Sequence, residues 1–383
     1  MTTPTTFSNA FGTFDIYRRP ARHDKSLQAW DAADDYLLET LKTKNLHVDD
    51  VLIVNDQFGA LGIALNAYTI CSWSDSRTAH LALSDNIKHN RLAAFFTPEL
   101  LPGTQRPERT FDAVLWRIPK TLALFDQQLN ALKLCTNADT LVLAAGMLKH
   151  LPDRIFESLQ RLGDTVALPA QKKARVFHIT PHPQHTETAP AISVCAEPSL
   201  TIPDYQLTLS AGPNVFARDK FDIGARFFIE QFKQLPRSAR IADLGCGNGI
   251  LGMLAKRMQP SSAVAFFDDS YQAVAAAELN YRYNGFDDLF PAATFQVDDV
   301  FSNYNGAAFD LILCNPPFHQ GHVVGDQIAW QMFKQSRDLL TPQGELWIVG
   351  NRHLQYQSML KKIFGNCRQI AANTKFVVLA ARA

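Results

Sequence analysis

Ile241-Ala242-Asp243-Leu244-Gly245-Cys246-Gly247-Asn248-Gly249-Ile250-Leu251-Gly252 is the stretch that decides the fold of this 383-residue chain. The apolar start reads as a strand, the glycines as a turn and Ile250-Leu251 as the opening of a helix. Glycine permits positive φ and lets the backbone approach a ligand closely. The run Gly247-Asn248-Gly249-Ile250-Leu251-Gly252 fits the dinucleotide fingerprint G-x-G-x-x-G, so a nicotinamide enzyme is one reading. Asp243 argues against it. Two residues before the first glycine, its carboxylate faces an incoming pyrophosphate unfavourably. The same carboxylate suits a ligand with a cationic amino acid moiety, reached directly or through water. S-adenosylmethionine is such a ligand, with an ammonium, a sulfonium and no phosphate.

The next strands carry acids at their tips. Ala263-Val264-Ala265-Phe266-Phe267 ends in Asp268-Asp269, and an acid there binds the hydroxyls of a cofactor ribose in either cofactor class. Asp268 is assigned that role, with Asp269 as the alternative. Thr294-Phe295-Gln296-Val297 is followed by Asp298-Asp299, of which Asp299, beside Val300-Phe301, is chosen to accept from an adenine amine. A fourth apolar run, Phe309-Asp310-Leu311-Ile312-Leu313-Cys314, leads into Asn315-Pro316-Pro317-Phe318. Two prolines cannot continue a strand ladder, because neither nitrogen carries a hydrogen. The Asn315 amide oxygen and the Pro316 carbonyl then suit an NH2 group, with the Phe318 ring stacked on a planar substrate. Glycine turn, acid, acid and proline turn follow in the order of one cofactor pocket leading to one amine pocket.

These motifs carry a resemblance. Residues 214–383 look like the class I S-adenosylmethionine-dependent methyltransferases that act on amines. Asn214-Val215-Phe216, Phe221-Asp222-Ile223-Gly224-Ala225-Arg226-Phe227-Phe228 and Asn315-Pro316-Pro317-Phe318-His319-Gln320 resemble bacterial ribosomal RNA guanine-N2 methyltransferases. The runs Asn351-Arg352-His353-Leu354, Lys361-Lys362-Ile363-Phe364-Gly365-Asn366-Cys367 and Leu27-Gln28-Ala29-Trp30-Asp31-Ala32-Ala33-Asp34 extend the similarity over nearly the whole chain. The resemblance implies methylation of a large-subunit guanine. Its alternatives are a small-subunit guanine and, further off, a protein glutamine amide. It also places Phe216, Asp222 and Gly224 beside the cofactor, although packing explains Phe216 almost as well. Asp222 caps a helix from about Ile223 with Phe227, Phe228 and Phe232 on its apolar side.

The first half repeats the second in weakened form. Val51-Leu52-Ile53-Val54-Asn55-Asp56-Gln57-Phe58-Gly59-Ala60-Leu61-Gly62 overlays the glycine motif, Gly59 on Gly249 and Gly62 on Gly252. Ser74-Asp75-Ser76 overlays Asp268-Asp269-Ser270, Asn86 and Asn90 overlay Asn280 and Asn284, and Phe111 to Lys120 overlays Phe309 to Phe318. Asp243 becomes Ile53, Gly245 becomes Asn55, Gly247 becomes Gln57, Asp268 becomes Ser74 and Asn315 becomes Arg117. The expected architecture is α/β, two tandem Rossmann-like methyltransferase folds of which the N-terminal one is degenerate. Residues 1–185 form the degenerate domain and position RNA; residues 186–383 form the catalytic one. The join is the polar, proline-rich run from Thr180 to Pro190. Strand-like Leu200-Thr201-Ile202 and Tyr205-Gln206-Leu207-Thr208-Leu209 lead into the second domain. Arg117, Lys120, Lys172, Lys173 and Arg175 are the candidate RNA contacts.

Composition bounds the rest. The length favours two domains, and 46% hydrophobic with 19% charged residues describes an ordinary globular protein. No apolar stretch approaches the roughly 20 residues that span a bilayer, and Met1 to Thr6 lacks the pattern of a signal peptide. The six cysteines (71, 135, 195, 246, 314, 367) form no C-x-x-C pair, which argues against a metal site and for a reducing cytoplasm. Cys246 and Cys314 read as small packing residues, not nucleophiles. Charge is balanced, 20 basic against 20 acidic in residues 1–190 and 17 against 17 after them. Composition therefore does not advertise an RNA partner, which would need a local basic face. A fused pseudo-dimer of this kind is expected to work as a monomer.

Overall fold

The computed structural model describes residues 5–20, 27–44, 47–183, 200–289, 293–317 and 323–383. The chain divides into two compact units, Met1–Ser193 and Val194–Ala383.

The first unit opens with the hairpin β1 (Thr5–Asn9) and β2 (Gly12–Ile16). It continues through α1 (Ala32–Lys44), β3 (Asp50–Val54), α2 (Ala60–Ala64), β4 (Thr69–Ser74), α3 (Arg77–His89) and β5 (Glu99–Pro102). β6 (Ala113–Arg117), α4 (Leu122–Cys135), β7 (Leu141–Met147), α5 (Ile155–Leu159), β8 (Gly163–Ala167) and β9 (Ala174–Pro181) complete it. The second unit repeats this plan: hairpin β10 (Leu200–Ile202) and β11 (Leu207–Leu209), then α6 (Ile223–Ile229), β12 (Arg240–Leu244), α7 (Ile250–Met258) and β13 (Ala263–Asp268). α8 (Tyr271–Tyr283), α9 (Phe286–Leu289), β14 (Ala293–Val297), β15 (Phe309–Cys314) and α10 (Val323–Leu339) follow. β16 (Leu340–Asn351), α11 (Tyr356–Phe364), β17 (Arg368–Ala372) and β18 (Phe376–Arg382) close the chain.

Each unit holds one seven-stranded sheet, ordered β5-β4-β3-β6-β7-β9-β8 in the first and β14-β13-β12-β15-β16-β18-β17 in the second. Position for position these are the same order. Five strands run parallel, and the last two pair antiparallel. Parallel strands are covered on both faces and therefore read as continuous apolar runs. Val51, Leu52, Ile53 and Val54 are fully buried, as are Leu311, Ile312, Leu313 and Cys314. Strand order reverses between β12 and β15, and again between β3 and β6. At such a switch point the carboxyl ends leave a crevice where open α/β sheets bind ligands.

The overlay read from sequence is reproduced at its joints. Gly59 and Gly249 precede their helices in the left-handed region, at φ 81° and 84°. The Ser76 and Ser270 hydroxyls accept from Ala79 N and Ala273 N, capping α3 and α8. Asn280 accepts from Ser210 N at 2.7 Å and donates to Ser210 O and Asn248 O, tying the hairpin to the glycine turn. Asn86 makes the same three bonds, with Tyr17 N, Tyr17 O and Phe58 O. Asn284 and Asn90 repeat the device one turn later, on Thr208 and Asp15.

Three expectations need correction. Thr180 and Pro181 belong to β9, paired with Asp164 and Gly163, so the join does not begin there; residues 184–190 of that run lie outside the described residues. Packing does not account for Phe216, which is 61% exposed. The first entry strand has the bounds read, Leu200–Ile202, but the second is shorter, since Tyr205 sits in the turn between β10 and β11.

Candidate active site

The glycine turn is shaped from below. Gly245 N and Cys246 N both donate to Phe267 O, at 2.8 and 2.9 Å, which fixes the turn against the end of β13. Gly245, Gly247 and Gly249 have φ of 72°, 54° and 84°. A side chain on Gly247 would meet nothing within 4 Å, and one on Gly245 only the Met332 methyl at 3.4 Å. Glycine at these two places leaves open, backbone-lined space at the switch point.

The acids surround that space. Asp243 is fully buried, and its Oδ2 accepts from Gly252 N in the first turn of α7 at 2.7 Å. An N–H in the first turn of the helix is thus already taken by a side-chain acceptor, which leaves it unavailable to a pyrophosphate. Oδ1 of Asp243 is buried without a partner among the described residues. Burial, aided by the charge of Asp268, pushes the Asp243 carboxyl up to about 8. Asp268 accepts from Gly247 N and Ser270 N, both at 3.0 Å, and burial raises it to about 6. Asp269 beside it is half-buried. The next pair divides clearly. Asp298 is consumed by its own loop, accepting from Asp299 N, Asn303 N and Asn303 Nδ2. Asp299, 5% exposed, accepts from Gln331 Nε2 at 3.1 Å.

Asn315 stands immediately after β15. Leu244 lies beside Cys314 in the parallel register, so Asn315 emerges next to Gly245. Its Nδ2 donates to Asp222 Oδ2 at 3.4 Å, and the same oxygen accepts from Ala225 N at 2.7 Å as the N-cap of α6. A carboxylate can only accept, so it turns the amide nitrogen toward itself and the amide oxygen away. That oxygen, Asn315 Oδ1, is buried without a partner among the described residues. Pro316 is buried and Pro317 half-buried. Phe318, His319 and Gln320 lie outside the described residues. Cys246 and Cys314 are fully buried thiols whose ionisation burial opposes strongly, which leaves neither available as a nucleophile. Among the described residues no His, Cys, Asp and Glu group is placed to hold a metal, and no helix is long and apolar enough to cross a membrane.

The first unit fills the same crevice with side chains. Asn55, where the second unit has Gly245, holds φ 63° and exchanges two amide hydrogen bonds with Gln128. It also donates to Arg117 O, while Trp116 Nε1 donates to Gln128 Oε1. Arg117, in the place of Asn315, is bonded through Nη2 to Asp31 at 2.8 Å and through Nη1 to Asp34. Its side chain is only 19% exposed. Arg117 is therefore no surface contact for RNA, contrary to the sequence reading: it is tied down at the start of α1. Lys120, Lys172 and Lys173 are exposed, and Lys172 pairs with Asp35. Arg175 is half-buried. Lys149, which the sequence reading did not single out, is exposed after β7, next to Leu148, whose N donates to Lys173 O.

The sequence overlay implied that the carboxylate of Asp243 has no counterpart, since Ile53 stands there. Asp56 supplies one from three residues on, accepting from Gly62 N and Gly59 N at 3.0 Å. Both helix starts thus meet a side-chain acceptor, but Asn55, bonded to Gln128, and Gln57 stand where the second unit has Gly245 and Gly247.

Two family models divide the chain between them: an RLMG N-terminal domain matches residues 4–183 and a methyltransferase small domain matches residues 206–380. Similar full-length relatives are ribosomal RNA large subunit methyltransferase G of Pseudomonas aeruginosa, 40% identical over 98% of this chain and 99% of its own, and of Stutzerimonas stutzeri, 41% identical over 96% and 97%. That of Pseudoalteromonas translucida is 38% identical over 96% of each. The two-unit fold is shared with the T. thermophilus 16S rRNA N2 methyltransferase RsmC, solved with AdoMet and guanosine, at a TM-score of 0.78 and 22% identity over 99% of this chain and 98% of that one. With full-length identity near 40% and both family models in order, the chain belongs to the ribosomal RNA large subunit methyltransferase G family.

Proposed function

We propose that this chain methylates the exocyclic N2 amine of a guanine in large-subunit ribosomal RNA, with S-adenosylmethionine as methyl donor. The observation that carries the reading is Asn315 Oδ1, a buried acceptor left unpartnered because Asp222 holds the other end of the amide. An amine is what such an oxygen lacks. The names of the full-length relatives support the RNA substrate, and AdoMet with guanosine in the shared fold supports cofactor and base.

The residues present fit the donor. Asp243 Oδ1, buried and unpartnered, would hold its ammonium; Gly245, Gly247 and Gly249 would form the flat wall; Asp268, with Asp269 as alternative, would bind the ribose hydroxyls. Asp299 would take the adenine amine, and Asp222 sits beside the site as cap and anchor. When bound, S-adenosylmethionine supplies a methyl group activated by the sulfonium. Asn315 Oδ1 and the Pro316 carbonyl fix the N2 amine by its hydrogens, Pro317 sets the turn, and Phe318 stacks on the base, worth roughly 1–3 kcal/mol. Holding the nitrogen in one geometry is the main catalytic contribution, because its lone pair is delocalised into the ring. The target edge is paired in a duplex, so the base must be unpaired or flipped.

The first unit would then position RNA through Lys120, Lys149, Lys172, Lys173 and Arg175. The protein would act as a monomer in the cytoplasm, on RNA carrying little protein. Mapping N2-methylguanine in ribosomal RNA from cells lacking this protein tests the whole reading: one large-subunit modification should vanish, and an unchanged map would sink it. Asn315→Ala tests the receptor itself. Turnover should fall at least a hundredfold while calorimetric S-adenosylmethionine affinity stays within about twofold, as expected for loss of a group that binds only the reacting amine.

A further inference from the structure

Four buried side-chain oxygens of the second unit lack a partner among the described residues: Asp243 Oδ1, Asn315 Oδ1, Gln327 Oε1 and Asn351 Oδ1. Unpartnered buried polar atoms are uncommon and each calls for an explanation. The proposed function engages the first two. Asn351 has no part in it, although it is 8% exposed and its side-chain amide bonds no other described residue.

Its place in the sheet is defined. Asn351 is the last residue of β16, beside Phe376 of β18. β15 and β16 are parallel with Cys314 beside Ile348, so the register carried one residue further sets Asn315 beside Val349. Side chains two apart on a strand share a face. Leu313, Trp347 and Val349 all lie in the core that contains Ala225 and Phe228 of α6, so Asn315 and Asn351 continue that face. The α6 start covers both: Asp222 anchors Asn315, and a side chain on Gly224 would lie 3.2 Å from the Phe376 ring. From strand spacing and rise, the two asparagine Cα atoms are roughly 8 Å apart on the diagonal. A flat base edge fits between two such side chains.

We infer that Asn351 reads the N1–H of the target guanine next to the amine held by Asn315, and so selects guanine; this rests on the guanine-N2 reading above. The guanine edge presents the 2-amino group and N1–H as adjacent donors, followed by O6 as acceptor. With the amine on Asn315 Oδ1, N1–H falls to the second buried oxygen, and Asn351 Nδ2 is left to donate to O6. Adenine and cytosine place a ring acceptor beside their amine. Either would set a lone pair against Asn351 Oδ1 and leave that oxygen unpartnered.

The test compares two large-subunit RNA fragments that differ only at the mapped target, one with guanine and one with 2-aminopurine. The analogue keeps the amine but lacks both N1–H and O6. The wild-type enzyme should prefer guanine by about 100-fold in kcat/KM, as sites built to hydrogen-bond a substrate reject analogues lacking the group. Asn351→Ala should lower kcat/KM on guanine by about 30-fold and leave 2-aminopurine within about threefold, which collapses the preference. Asn351→Ser keeps an acceptor and should retain part of it, which covers the case of an alanine variant that folds poorly. Equal losses on both substrates, or an intact preference in both variants, overturn the inference. A wild-type enzyme that leaves the guanine amine unmethylated overturns instead the reading on which it rests.

Discussion

Cofactor binding should release a proton, and Asp243 sets how much. Burial holds its carboxyl at about 8, against 3.8 for an ordinary aspartate. At pH 7 about nine-tenths of free molecules therefore carry the neutral acid, and at pH 8 about half. An ammonium ligand on Oδ1 needs the charged form, so binding expels about 0.9 proton at pH 7 and about 0.5 at pH 8. Apparent affinity should then strengthen about ninefold from pH 6 to 7 and about fivefold from pH 7 to 8. Stability of the free protein moves the opposite way. A carboxyl raised above its unfolded value adds stability that is complete below about pH 4 and lost as pH rises through about 8. The thermal shift produced by S-adenosylmethionine should therefore grow across this range. Calorimetric titrations in phosphate and Tris, whose ionisation enthalpies differ, count the protons directly. Asp243→Asn should bind more weakly with no proton released. A wild-type titration at pH 7 that releases no proton, with an affinity flat from pH 6 to 8, would refute the placement of the ammonium on Asp243.

Two further predictions concern the first unit. Arg117→Ala leaves Asp34, whose side chain is 9% exposed, as an unpaired buried carboxyl, and should destabilise that unit by about 3–5 kcal/mol. Asp31 is 40% exposed, so its share is about 0–1 kcal/mol. Burial already raises Asp34, and removing the guanidinium raises it further, so the loss should shrink on acidification; hydrogen exchange in α1 and β6 at pH 5 and 8 measures it, and a loss under about 1 kcal/mol at pH 8 refutes it. Replacing the exposed Lys120 and Lys173 by glutamine should weaken RNA binding and flatten the salt dependence by about 0.7–0.9 in log–log slope per lost phosphate contact. An unchanged slope in filter binding removes these lysines from the interface.

Local signals were legible because their causes are local. The glycines at 245, 247 and 249 stand where positive φ is needed, and the apolar runs before them are the central strands. Asn86 and Asn90 could be set on Asn280 and Asn284 by spacing alone, and all four make the bonds of their counterparts. What escaped the sequence depends on which helix start covers which strand end. Asp222 meets Asn315 across 93 residues and Asp31 meets Arg117 across 86. Residue type says that a carboxylate caps a helix; it does not say what else that carboxylate holds. Asp56 escaped for a related reason. The helix start needs an acceptor, but the overlay searched only the position of Asp243, and a carboxylate three residues on reaches the same N–H group.

The two copies then explain each other. Each places an acid at the start of the first helix after its hairpin, Asp31 or Asp222, over the end of the fourth strand of its sheet. Each bonds that acid to the residue following the strand's apolar run, Arg117 or Asn315. The scaffold is the same, so the outcome rests on the chemistry of one side chain. A guanidinium has donors and no acceptor, and once Asp31 and Asp34 hold it, nothing remains to accept from an amine. A carboxamide held by its nitrogen keeps an oxygen, and in Asn315 that oxygen is buried without a partner among the described residues. Gly245 keeps the crevice open in one copy, and Asn55 with Gln128 closes it in the other. Changing Arg117 to asparagine alone should therefore not restore a receptor in the first unit, because the space in front of it would still be filled.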